Sequence, residues 1–184
     1  PRMVNEDGKK DSFLSQINLS EQLFAAMSSI PEPFSFEVSV KNSEQQIYFY
    51  VSVPREYVDF TMRQIQGLFP EAKVEQVPDY TIFAPGSFAA AAELTLKDSY
   101  VLPIRTYKEA EVDTFSPIIS TLSKLEEIGE GASVQVVLRP AGKKEKDSIF
   151  YGIEKLKAGK SLKDVLRDPS LLKDLGKGFK EFIF

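Results

Sequence analysis

Between residues 47 and 80 the hydrophobic period switches from two to about 3.6 and back again. Ile47, Phe49, Val51 and Val53 alternate with Tyr48, Tyr50 and Ser52, which puts one apolar row on a single face of a strand. Pro54 has no N–H to give to a ladder, so it ends that strand and suits the start of a helix. Val58, Met62, Ile65 and Phe69 then follow at spacings of four, three and four and predict a helical stripe facing the strand. On this reading Met62→Asp buries a charge and unfolds the domain. Gly67 and Pro70 close the helix, and Val74 and Val77 predict a second strand that completes a βαβ unit.

The same patterning extends to both sides. Asn18 with Glu21 predicts an N-cap and capping box for a short helix with the stripe Leu19, Leu23, Phe24, Met27 and Ile30, stopped by Pro31 and Pro33. Residues 1–17 read as a polar, irregular arm. Phe34, Phe36, Val38 and Val40 alternate with Ser35, Glu37 and Ser39 and predict a half-buried strand, hairpinned to the next across the polar residues 41–46. Residues 88–96 and 101–106 predict two more strands. The alanines Ala89 to Ala92 also suit a helix by propensity, and Pro103 limits the second strand to an edge or a bulge. Phe115, Ile118, Ile119, Leu122 and Leu125 predict a helix capped by Thr114 or Ser116 and ended by Gly129 and Gly131, and residues 133–138 predict the last strand.

These elements assemble into an α+β fold over residues 18–141. The expected form is a two-layer sandwich, with a mostly antiparallel sheet in ferredoxin-like ββαβ…βαβ order and an added N-terminal helix. From Gly142 the periodicity is wholly helical, so residues 142–184 read as a C-terminal helical extension. Its last stripe, with Phe179 and Phe182, is expected either to pack back on the body or to face another domain.

Composition removes several kinds of chemistry. The chain of 184 residues contains no cysteine and no histidine, which excludes disulfides, thiolate nucleophiles, imidazole bases and the Ser-His-Asp triad. Carboxylates, lysine and tyrosine remain, and none stands in a diagnostic spacing; no cofactor or metal ligand set is expected. The net charge of −4 is uneven. Residues 143–184 hold 11 Lys and Arg against 7 Asp and Glu, a net of +4, which leaves −8 on the rest and makes the body a poor nucleic-acid surface. No apolar run approaches the ~18 residues of a membrane span, and the first thirty residues lack the apolar core of a signal peptide. Pro1 in place of an initiator Met points to a piece of a longer protein, with room for an anchor or further domain beyond it.

Three local patterns invite a functional reading. Gly159-Lys160-Ser161 ends like a P-loop, but Glu154 stands where the loop needs its first glycine, and a helix precedes it where a strand is required. A helix break explains it better. Tyr48 and Tyr50 share a strand face with Ser52, with Arg55 at the strand end, as on sheets that stack bases. The acids Glu37, Glu44, Glu56 and Asp59 around them argue against nucleic acid. The carboxylates Glu126, Glu127 and Glu130, and Glu75 with Asp79, read as solvated.

Several phrases resemble a known family: PRMVNED at the start, EQLFAAMSSI, FSFEV, the whole segment 47–80, YVLPIRTY and VQVVLRPA. Over residues 1–153 the chain resembles a domain of large ATPases from uncultivated, small-genome bacteria. The resemblance implies an accessory domain that precedes a RecA-like motor of the conjugation and type IV secretion class, lying on the cytoplasmic side of the membrane. Its implied partners are the adjacent motor domain or subunits, with a homo-oligomer as a further expectation. The chain has no Walker A loop and no Walker B strand, so no catalytic residue carries over. The alternative expectation is a free-standing single-stranded nucleic-acid-binding module. The surface on which the two disagree includes Tyr48, Tyr50 and Arg55, with Phe179 and Phe182 as further contact candidates.

Overall fold

The alternation of Phe34, Phe36, Val38 and Val40 with polar residues builds the central strand β1 (Phe34–Val40) of a three-stranded antiparallel sheet. The structure, a computed structural model, describes residues 8–43, 46–96, 102, 104, 106, 115–125 and 129–168. Strand β2 (Ile47–Ser52) pairs with one edge of β1 and β3 (Ala132–Leu138) with the other, giving the order β2-β1-β3. Val38 lies opposite Phe49 and Val134, and Glu37 lies opposite Tyr50 and Gln135. Opposed residues in an antiparallel sheet share a face. One face is therefore apolar along Phe34, Phe36, Val38 and Val40, and the other carries Ser35, Glu37 and Ser39.

The helices are α1 (Gly8–Met27), α2 (Val58–Leu68), α3 (Ser116–Leu122), α4 (Lys143–Lys157) and α5 (Leu162–Leu166), with a 3-10 turn at Arg55–Tyr57. The chain divides into two compact units, Pro1–Ser87 with Ile119–Pro140 and Phe88–Ile118 with Ala141–Phe184. In the first, Leu23, Met27, Ile30 and Phe34 form the buried core, with Phe36, Val51, Val53, Tyr57, Phe60, Ile65, Leu68, Phe69 and Leu138 packed around it. Met27 and Ile30 are completely buried, which is worth roughly 1.5–3 kcal/mol for each side chain. Phe36 meets the ring edges of Phe24 at 4.9 Å and Phe34 at 6.0 Å. The hydroxyls of Ser28 and Ser29 donate to the carbonyls of Ala25 and Ala26 and so cap the C-terminal end of α1 before Pro31.

Four expectations need correction. Helix α1 begins at Gly8, so Asn18 is an interior residue and not an N-cap, and residues 8–17 belong to the helix instead of an irregular arm. No residue between 8 and 27 is proline, and no glycine follows Gly8 until Gly67, so nothing stops the helix from running through Asn18. The stripe of α2 holds only in part: Ile65 and Phe69 pack against the core as expected, but Phe60 and Leu68 join them, Thr61 is the buried residue of the helix, and Met62 is only half-buried.

Residues 70–79 form no strand, because Val74 and Val77 stand three apart, which is not a strand period, and Pro70 and Pro78 remove ladder donors. Residues 88–96 form no strand either, and Phe88 and Leu94 there are almost fully exposed. The expected strand at 101–106 lies largely outside the described residues, as do Phe179 and Phe182.

In the second unit, α4 ends in a Schellman turn. The Gly159 N–H donates to Leu156 and the Lys160 N–H to Lys155, with Gly159 at φ 85°. Ser161 then caps α5 by accepting the Asp164 N–H at 3.2 Å and donating to its carboxylate at 2.6 Å. Gly159-Lys160-Ser161 is thus one helix's end and the next one's cap. Among the described residues no helix is long and apolar enough to cross a membrane.

Candidate functional site

The polar face of the sheet gathers a cluster of hydrogen-bonding side chains around Glu37. Because Glu37 sits on the central strand, it has neighbours on both sides: Tyr50 across to β2 and Gln135 across to β3. Gln135 donates to one carboxylate oxygen at 3.3 Å and reaches the Ser35 hydroxyl at 3.4 Å. Ser133 donates to the other oxygen. That same oxygen accepts the phenol of Tyr80, which arrives from the segment after α2.

Tyr80 completes a row of stacked rings. Its ring lies on Tyr50 with centroids 4.2 Å apart and planes inclined by 15°, and Tyr50 in turn stacks on Tyr48 at 6.0 Å. The Lys41 ammonium sits 4.5 Å from the centre of the Tyr48 ring, a cation–π contact that closes the row. Burial raises the pKa of Tyr80, and the bond to the Glu37 carboxylate raises it further, while the hydroxyls of Ser39 and Ser133 pull it partly back. The phenol is therefore a neutral donor at ordinary pH. Ser39 is fully buried beside it, yet its hydroxyl has no hydrogen bond of proper geometry. A second anchor holds the same segment: Gly131, just before β3, lies so close to the Ile82 carbonyl that a Cβ there would overlap it.

This arrangement suits fastening better than reaction. Each oxygen of Glu37 is already engaged by a donor, so the carboxylate is not poised as a base. A shallow depression lined by Pro33, Phe34, Ser35, Ser52, Val53 and Val137 brings no ionisable side chain together. No group of three or more acids that could hold a metal ion occurs among the described residues. Of the surface expected from sequence, Tyr48 and Tyr50 stack on one another; Arg55 is exposed in the 3-10 turn and is not among the partners of the Glu37 cluster. Sequence reasoning missed Tyr80, which no periodicity could assign to this face, and treated Glu37 only as a nearby acid.

The apolar face is only half covered. Phe49 is 68% exposed, Val136 52% and Val134 37%, although Phe49 and Val134 flank the buried Val38 and Val136 lies opposite Phe36. The core takes Val51, Val53 and Leu138 but leaves this end of the face open.

An α+β domain with a three-stranded antiparallel sheet, a tyrosine stack on one face and an open apolar patch on the other is thus the class that the structure defines. A family described as a domain of unknown function, DUF8128, matches residues 7–170, and the chain belongs to that family. No curated protein and no solved structure matches it.

Proposed function

We propose that this chain is a non-catalytic assembly domain that works by protein–protein contact beside the motor of a type IV secretion or conjugation ATPase. The observation that carries the contact is the open apolar patch of Phe49, Val134 and Val136. Adjacent exposed apolar side chains on a rigid sheet are what a protein partner desolvates. Support for the motor as partner is the resemblance of the phrases in residues 1–153, which also suggests a position at the cytoplasmic face of the membrane. In this proposal the basic C-terminal extension, with Phe179 and Phe182, leads towards the motor. The two-layer sandwich belongs to the same proposal; its support is that α1 and α2 touch each other and share one core with the sheet, whereas the ferredoxin-like order loses the strand it needs after α2.

A photo-crosslinking residue at Phe49, in cells that carry the native protein, tests this reading. Adducts to a P-loop motor polypeptide support it, and a complete lack of protein adducts sinks it. The second reading, single strands stacked on Tyr48 and Tyr50, draws on Lys41 over Tyr48. Against it, Tyr80 already covers Tyr50 and the Glu37 carboxylate lies within the cluster, where a phosphate would be repelled. Labelled single-stranded DNA in a salt series decides: a steep salt slope favours this second reading, and no binding at low salt removes it.

A further inference from the structure

Strand β3 reads Ala-Ser-Val-Gln-Val-Val-Leu, seven residues with no charge, proline or glycine. It is a rim of the sheet: β1 pairs with its inner edge from Ala132 to Leu138 without a bulge, and no strand among the described residues pairs with its outer edge. Proteins that stay monomeric blunt such rims with lysine, proline, bulges or inward charges. Here none of these devices is present. Residues 134–137 are all exposed, Val136 at 52% on one face and Val137 at 50% on the other, so the centre of the strand is open on both sides. The opposite rim differs, because β2 carries the stacked rings of Tyr48, Tyr50 and Tyr80 with Lys41 over Tyr48.

We propose that β3 pairs antiparallel with β3 of a second copy about a two-fold axis at Gln135, giving a six-stranded sheet. The strand is self-complementary in this register. Gln135 meets its own counterpart, Val134 meets Val136 twice, Ala132 meets Leu138, and Ser133 meets Val137. The valine row of each copy then continues into the other on one face, alongside Val38 and Phe49 of both. A slip of one residue would set apolar positions of one chain on the polar face of its partner. Charge selects the occupant as well: an uncharged strand sets no like charges against its own copy and offers no counter-charge to a basic or acidic segment. The pairing does not rest on contact with a motor, since it uses an edge and leaves the Phe49 end of the patch open.

The absence of cysteine makes a direct test available. Gln135→Cys would put two thiols opposite each other on the axis, where Cα atoms of opposed residues stand ~4.5–5.5 Å apart, within disulfide reach. Val137→Cys faces Ser133 of the other copy, and its own counterpart is four residues, about 13 Å, further along. The expected result has three parts. Light scattering gives twice the 20.7 kDa chain mass at high concentration, falling towards the single mass on dilution. Mild oxidation links Gln135→Cys at least about ten-fold faster than Val137→Cys. Val136→Lys, which sets an ammonium against Val134 of the other copy, gives a monomer with unchanged circular dichroism. A native chain that keeps the single mass at every concentration, or equal linking rates for the two cysteines, overturns the proposal. Should Val136→Lys fail to fold, the cysteine pair and the native mass still decide it.

Discussion

Tyr80 stacks on Tyr50 at 4.2 Å while its hydroxyl donates to Glu37, the residue opposite Tyr50 on the central strand. One side chain therefore holds the segment after α2 by two different interactions. Tyr80→Phe removes the hydrogen bond and keeps the stack, so it is expected to cost about 1.5 kcal/mol, the low end for bonds to charged groups because the site is partly solvated. Tyr80→Ala removes both and should cost more. Urea denaturation of the two variants measures the difference, and equal costs would mean that the stack contributes nothing.

The raised pKa of Tyr80 gives a pH dependence with a defined sign. The neutral phenol is favoured in the folded state, so its contribution is complete below the unfolded value of about 10. It is lost as pH rises through the higher folded value, where phenolate and Glu37 repel. Tyr57 is shifted the same way, by burial and then by Glu56, so the native protein alone would mix the two. The stability gap between native protein and Tyr80→Phe isolates Tyr80. That gap is expected to be constant from about pH 7 to 9 and to close above about pH 10.

Thr61 is 4% exposed at the end of the first turn of α2, and its hydroxyl has no hydrogen-bond partner. Thr61→Val keeps the shape and removes a desolvated polar group, so it should stabilise by about 1 kcal/mol. A rise in urea midpoint at unchanged slope checks this, and a fall would reveal a bonded hydroxyl.

Phe49 and Met27 separate surface from core. Met27→Ala empties a fully buried site and should cost about 2–5 kcal/mol. Phe49→Ser should change stability by no more than about 0.5 kcal/mol while abolishing partner binding at the apolar patch. A large destabilisation by Phe49→Ser would show that the patch is covered within the chain.

Where local chemistry settles the structure, the sequence was legible. The alternation of Phe34 to Val40 and of Ile47 to Ser52, and the buried positions of Leu23, Met27 and Ile30, appear at the expected places. Gly159 and Ser161 likewise act as the end and cap that their types suggest. The errors arose where a pattern has no local author. Val74 and Val77 look strand-forming but find no ladder, and Asn18 is a good cap only if the helix stops before it.

The site divides in the same way. Tyr48 and Tyr50 follow from period two, whereas Tyr80 meets them through a contact 30 residues away that is fixed by its hydrogen bond to Glu37 and by the close approach of Ile82 to Gly131. Which half of the Phe49 face stays open depends on where α1 and α2 end, and no single stretch of sequence contains that.

Gly131 and Ile82 touch closely enough that the glycine's missing side chain is needed, and Tyr80 is fastened only two residues earlier. The stretch from Tyr80 to Ile82 therefore has a fixed address on the sheet, although it is neither helix nor strand. Its flanks have none. Residues 71–79 and 83–87 can lengthen or shorten between homologous chains at little cost in closure entropy, provided that Tyr80 and Ile82 remain two apart and Gly131 remains glycine.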